Sequence, residues 1–225
     1  MIEVRPSPDA ALNTLLAAHS KVVICGEPSG PNELVFQHKG RIRSVAVGWS
    51  EDSVFGLPEL MDNNPLVCAD RVRVPSPAGT LALVCLGPLI RAGLVVEPPV
   101  VISSVPDAEI EVVAALMSAG YEDGCVFQVQ PADLGGCIAA TCMVEVPNLD
   151  DWDQIDDLYE ESFGRSYYVR RDETSEWDLA LAKAKPFAVY RLRLSEDEPN
   201  SLISAVALAD LSGKAGAAQM VHAMN

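Results

Sequence analysis

The stretch Ser76-Pro77-Ala78-Gly79-Thr80-Leu81-Ala82-Leu83-Val84-Cys85-Leu86-Gly87-Pro88-Leu89-Ile90-Arg91-Ala92-Gly93 decides how the rest of the chain is read. Ser76 is a natural N-cap, and Pro77 suits the first helical position because it lacks the N–H that would go unsatisfied there. The middle is apolar almost all round, which predicts a helix buried at the centre of a domain. Arg91 suits the last turn, where the helix dipole favours a cation, and Gly93 supplies the stop. Pro88 is expected to kink this helix or cut it short.

A chain of 225 residues, 49% of them apolar, has enough material for a sizeable core around that helix and is not generally disordered. The formal net charge of −16 argues against nucleic acid and anionic lipid as partners, because no basic surface is available to displace phosphate counterions. No apolar run approaches the ~20 residues of a membrane span. Met1-Ile2-Glu3-Val4-Arg5 lacks the charged-then-apolar layout of a signal peptide. The cysteines Cys25, Cys68, Cys85, Cys125, Cys137 and Cys142 sit mostly among apolar neighbours with no C-x-x-C pair, and are expected to be reduced core residues of a cytoplasmic protein. His19, His38 and His222 are scattered, which argues against a metal site.

Before the central stretch, Ser7-Pro8-Asp9 opens an amphipathic helix through Leu12, Leu15 and Leu16, and Lys21–Cys25 reads as a strand. The following Gly26-Glu27-Pro28-Ser29-Gly30-Pro31 has the wrong spacing for a dinucleotide fingerprint, and no helix can open through its prolines. Residues 34–36 and 41–47 form a hairpin pattern around Lys39-Gly40. After the central stretch, helical spacing recurs at 107–119 and 150–163, and a short helix is expected at 176–184. Strand patterns fall at 95–105 (interrupted by Pro98-Pro99), 125–130, 137–146, 167–171, 187–194 and 202–208, and a small-residue helix closes the chain at 213–224. The acidic face of 150–163 reads as a solvated surface, with Asp150 and Asp151 as helix-starting charges. Strands and helices interleave without a regular β-α-β count. The expected class is therefore α+β, with a mixed or antiparallel sheet and helices packed on it.

Three stretches carry a family resemblance: Val54-Phe55-Gly56-Leu57-Pro58-Glu59-Leu60, then Pro75 through Leu94, then Asp210 through Asn225. Together they resemble N-acetyl-gamma-glutamyl-phosphate reductase, an NADP-dependent enzyme of the semialdehyde dehydrogenase group. The resemblance covers residues 52–225 and implies that enzyme's catalytic and dimerisation domain, the C-terminal domain of the glyceraldehyde-3-phosphate-dehydrogenase-like architecture. Residues 1–51 then form a divergent segment where the family has a Rossmann nucleotide domain.

The departures from the family are chemical. Its catalytic cysteine stands in N-P-G-C-Y-P-T at the start of the central helix, and the matching Val74-Pro75-Ser76-Pro77-Ala78-Gly79-Thr80 puts Pro77 at that place. A thiolate there would have its pKa lowered by the helix dipole and would attack an acyl phosphate, which proline cannot do. The family's histidine before a P-E-I helix start falls near Ser104-Val105-Pro106-Asp107, where there is none, and the arginine-containing substrate loop that should precede it is missing. The asparagine of the last motif is Leu211. Ser76, Pro77, Ser104, Pro106 and Leu211 are thus degenerate positions of a former active site. No catalytic residue, cofactor or metal is expected. Cys85, mid-helix, is expected to face packing, and Cys137 and Cys142 have no histidine nearby in sequence.

Two functions follow from this reading. One is a non-catalytic relative of the reductase that acts by assembly or regulation, as a homodimer paired through the sheet, with a protein partner possible. The other is an enzyme or enzyme subunit with a remodelled site, completed by a separate NADP-binding chain.

Overall fold

The computed structural model describes residues 1–148, 152–173, 176–195 and 199–225. Asp150 and Asp151, and the acidic turn at 196–198, lie outside the described residues.

The central helix α3 runs Pro77–Arg91 with the expected caps: the Ser76 side chain accepts from the Gly79 N–H, and Arg91 sits in the last turn. Its residues from Ala78 to Ile90 are all buried. Pro88 does not end it. The helix continues to Arg91, and the Ala92 N–H returns to the Pro88 carbonyl. Proline costs the helix one hydrogen bond, at the Val84 carbonyl, and the all-round burial of the segment outweighs that loss.

Helix α3 lies across a mixed sheet built from β7 (Val100–Ser103), β8 (Val126–Val129), β9 (Cys137–Pro147), β10 (Val169–Arg171), β11 (Ala188–Ser195) and β12 (Asn200–Asp210), in the order β10-β11-β12-β9-β7-β8. Strands β9 and β12 pair antiparallel from Asn200↔Pro147 to Asp210↔Cys137. Side chains alternate across a strand, so Ala140 and Cys142 of β9 and Ala205 and Ala207 of β12 are buried toward α3. Small residues there let the helix backbone approach the sheet. Helices α4 (Glu109–Ser118) and α5 (Asp153–Phe163) flank α3, and Ile155, Tyr159 and Phe163 of α5 join the same core. The Tyr159 hydroxyl donates to the Cys85 carbonyl. Cys85, Cys137 and Cys142 are buried, as expected of core cysteines, and Cys125 is half-buried, but Cys25 and Cys68 are exposed because each stands at the end of a short element at the surface.

A second mixed sheet holds β1 (Ile2–Val4), β2 (Val22–Ile24), β3 (Glu33–His38), β4 (Arg41–Val47), β5 (Val54–Phe55) and β6 (Arg71–Val74), in the order β2-β1-β3-β4-β6-β5. Among these, β1, β5 and β6 carry too few residues for alternation to register in sequence. Strands β5 and β6 lie beyond residue 51 and still belong to this first sheet. Helix α1 (Ala10–Ala18) covers one face together with α6 (Ala217–Met224), which comes from the far end of the chain. Ala217, Met220, Val221 and Met224 pack with Leu12, Leu16, Leu34, Phe36 and Val45 in one apolar cluster. A short helix α2 (Asn63–Cys68) links β5 to β6.

Two expected helices are shorter in the structure. The segment 176–184 contains only a 3-10 turn at Leu179–Leu181, started by the Asp178 side chain accepting from the Ala180 N–H. Trp177, Leu179, Leu181 and Ala182 of this segment lie over Cys137, Ala139 and Leu208 on the face of the second sheet opposite α3. The last helix begins at Ala217 and not at 213, because Gly213 and Gly216 form tight turns. A side chain at Gly213 would collide with the Lys185 carbonyl, and one at Gly216 with the Leu211 carbonyl. Backbone cannot swing aside as a side chain can. Gly213→Ala and Gly216→Ala are therefore each expected to cost about 2–4 kcal/mol in urea unfolding, whereas Gly40→Ala, with open space around it, should cost less.

Candidate functional site

The fold brings the start of α3, at Ser76 and Pro77, together with the loop that carries Ser104 and Pro106. At the start of α3 the Ser76 hydroxyl oxygen accepts from the Gly79 N–H at 3.2 Å. Asp107, in the loop carrying Ser104 and Pro106, accepts from the Ala78 N–H at 3.2 Å. The helix start that would polarise a nucleophile is thus closed by the chain's own hydroxyl and carboxylate. Ser104 faces β9: its N–H donates to the Ala139 carbonyl and its hydroxyl oxygen accepts from the Ala139 N–H, both at 2.9 Å. Pro106 is exposed. Leu211 is exposed on the turn after β12, its N–H donating to the Gly136 carbonyl.

The first strand–turn–helix unit tells the same story. In dinucleotide-binding folds a glycine-rich turn after the first strand seats a pyrophosphate on the helix N-terminus. Here that turn is Arg5-Pro6-Ser7-Pro8-Asp9, and the Asp9 carboxylate accepts from the Ala11 N–H at 2.8 Å and the Leu12 N–H at 3.4 Å. The chain's own carboxylate thus takes the first free N–H groups of α1. The glycines at 26–31 follow β2 and have no helix after them.

A buried group of ionisable side chains lies elsewhere, where the first and last resembling stretches meet. Glu59 of the F-G-L-P-E-L stretch and Lys214 of the last stretch form a buried ion pair, with Lys214 Nζ 2.7 and 2.8 Å from the two carboxylate oxygens. Their side chains are 0% (Lys214) and 4% (Glu59) exposed. The Ser166 hydroxyl donates to Glu59 Oε1 at 3.0 Å. His222 Nδ1 lies 3.4 Å from Lys214 Nζ, and the His222 ring stacks on Tyr168 with centroids 4.2 Å apart. A second link ties the last stretch to α3: Gln219 Nε2 donates to the Thr80 hydroxyl at 3.0 Å, inside the core.

Burial alone would raise the Glu59 carboxyl, but the Lys214 ammonium, the nearby His222 and hydrogen bonds outweigh it and hold the pKa below the usual carboxylate value. Burial pulls the Lys214 ammonium down against the attraction of Glu59. His222 is pushed down to about 4, by burial first and then by the Lys214 charge, so its imidazole is neutral at pH 7.

Sequence reasoning took His222 only as one of three scattered histidines and missed Glu59 and Lys214. A lone lysine inside Leu211-Ser212-Gly213-Lys214-Ala215-Gly216-Ala217-Ala218 was the available signal, since a charge amid small residues needs a partner.

Clefts of about 160, 320, 350 and 420 Å³ lie among the described residues, and none of these is lined by Ser76, Pro77, Ser104, Pro106, Leu211 or Lys214. Among the described residues no three His, Cys, Asp or Glu side chains are disposed to hold a metal ion, and no helix is long and apolar enough to cross a membrane.

Comparison with protein-family models and with curated proteins finds no match. Comparison with solved structures does. Aspartate semialdehyde dehydrogenase II from Vibrio cholerae, complexed with ASA, is similar with a TM-score of 0.66 at 13% identity, covering 100% of this chain and 97% of that one. A second structure of the same enzyme gives 0.65 at 13% identity over 98% and 96%. Aspartate semialdehyde dehydrogenase from Francisella tularensis gives 0.56 at 7% over 78% and 71%. The chain thus has a semialdehyde dehydrogenase-like fold, the α+β architecture expected from sequence.

Breaking the buried pair should be costly. Glu59→Leu strands an ammonium in the core and is expected to lower stability by about 3–5 kcal/mol, while adding Lys214→Met should restore most of the loss. Chemical unfolding of both variants checks this. Acid should also loosen the junction through His222, which is 25% exposed. Its folded pKa of about 4 lies below the unfolded 6.5, so its contribution is complete above pH 6.5 and is lost as pH falls toward 4. The loss is about 2–3 kcal/mol. His222→Phe should flatten stability between those two pH values.

Proposed function

We propose that this chain is a non-catalytic relative of the N-acetyl-gamma-glutamyl-phosphate reductase and semialdehyde dehydrogenase group, acting in the cytoplasm by assembly or regulation. The observation that carries this reading is the closure of both helix starts on which the chemistry depends. A thiolate nucleophile or a bound phosphate draws on free N–H groups at a helix N-terminus. At α1 those groups are taken by Asp9, and at α3 by Ser76 and Asp107. Residues that resemble the family and remain, such as Glu59, Lys214 and Thr80, hold the fold together. Those at the reacting positions, such as Pro77 and Leu211, carry no group able to attack, protonate or bind. The first sheet, to which residues 1–51 give four of six strands, takes the place of the nucleotide domain in this reading, with a proline-bounded helix cap at the turn after β1.

Assembly is the function such a chain keeps. The face of the second sheet opposite α3 is covered at one end by the segment around Trp177. Beyond it Ile102, Thr141, Met143 and Val206 are only partly buried, and Leu202 and Val126 are exposed. A second copy, joined about a two-fold axis, is the proposed cover for this apolar face.

Calorimetric titration with NADP is expected to show no binding, and Pro77→Cys no turnover of acyl phosphates. Micromolar binding, or turnover in that variant, would overturn the non-catalytic reading and favour an enzyme with a remodelled site. Sedimentation at micromolar concentration should give a species of twice 24.1 kDa. A single species at the monomer mass would overturn the assembly.

A further inference from the structure

We propose that the surface made by Tyr167, Arg170, Lys185 and Phe187 docks an acidic segment of a partner protein. The Arg170 guanidinium lies 3.8 Å from the centre of the Phe187 ring and 5.1 Å from that of Tyr167. Lys185 Nζ lies 5.7 Å from the same Phe187 ring. Two cations therefore share one aromatic platform, at the end of the second sheet where β10 is the last strand.

Neither cation has a carboxylate partner among the described residues, in a chain with 32 acidic and 16 basic residues. Acids are close at hand. The next residue, Arg171, pairs with Asp156 and Glu173, and Arg191 with Asp172. Strand alternation puts Arg171 on the side of α5 and Arg170 on the opposite face. Its guanidinium is held there by rings, which fix the plane and leave the N–H edges available for a carboxylate.

The backbone fixes the lysine as well. Ala184 adopts a left-handed conformation with φ 56°, unusual for a residue with a side chain. Asp210 Oδ2 accepts its N–H at 2.7 Å and holds the turn that presents Lys185.

The shape of the surface selects the partner. Tyr167 is 58% exposed, and of the platform's four residues only Lys185 also lines one of these clefts, the one of about 320 Å³. Small anions are bound in concave sites, so an open platform of rings and cations fits a protein segment. Long polyanions such as nucleic acid would meet the repulsion of the −16 charge along their length. A short acidic segment interacts within one screening length, about 8 Å at physiological salt, and meets only the local cations. The rings supply apolar contact alongside the charge.

The test uses a short labelled oligoglutamate peptide and the full chain, read by fluorescence anisotropy at low ionic strength. Binding that weakens with salt is expected, and Arg170→Glu with Lys185→Glu should reduce affinity at least about tenfold. Lys21→Glu with Arg71→Glu makes the same change in net charge on the first sheet and should leave affinity within about twofold. Arg170→Ser alone, an exposed substitution, should weaken binding with an unchanged melting temperature. No binding at low salt, equal weakening by the two double variants, or equally tight binding of a single-stranded oligonucleotide would overturn the proposal.

Discussion

The ion pair between Glu59 and Lys214 is the constraint on which the arrangement of the two sheets depends. An ammonium with 0% exposure is tolerable only beside a carboxylate, and that carboxylate sits on the turn after β5 of the first sheet. The lysine sits just after β12 of the second. Pairing them fixes where the chain leaves the second sheet, and so directs α6 back onto the first, where Met220, Val221 and Met224 complete its core. Apolar contact alone would stabilise that docking in several registers. A charge pair that must be satisfied selects one of them.

Helix α3 anchors the other half of the molecule. Its small faces meet alanines of β9 and β12, its Thr80 receives Gln219 from α6, and its first turn is closed by Ser76 and Asp107. The Gln219, Ser76 and Asp107 contacts each give a polar group a partner within the fold. Ser76 and the Asp107 carboxylate cap this helix start, as Asp9 caps that of α1. Closing these groups stabilises the helices and removes their capacity to bind an external anion, because one N–H cannot serve both.

Charge divides the surface into regions with different chemistry. Arg41 with Asp70, Arg171 with Asp156 and Arg191 with Asp172 are paired. Arg170 and Lys185 are held on rings away from acids. The excess of acidic residues makes such an island distinctive, since the surrounding field is negative. The uncovered apolar part of the second sheet lies beside it, across the segment that carries Trp177.

Sequence alone determined α3, its caps, the long strands β9 and β12, and the α+β class, because each rests on local periodicity or on one capping residue. It also determined that Pro77 cannot be a nucleophile. The tertiary structure decided what periodicity cannot encode. Strands of two to four residues, such as β5 and β6, exist only because neighbours pair with them. Pro88 stays helical because burial around it outweighs one lost hydrogen bond. Asp107 became a cap for a helix 29 residues earlier, and Glu59 met Lys214 across 155 residues. Such partners are joined by the folding of the whole chain and leave no mark on the spacing of either stretch.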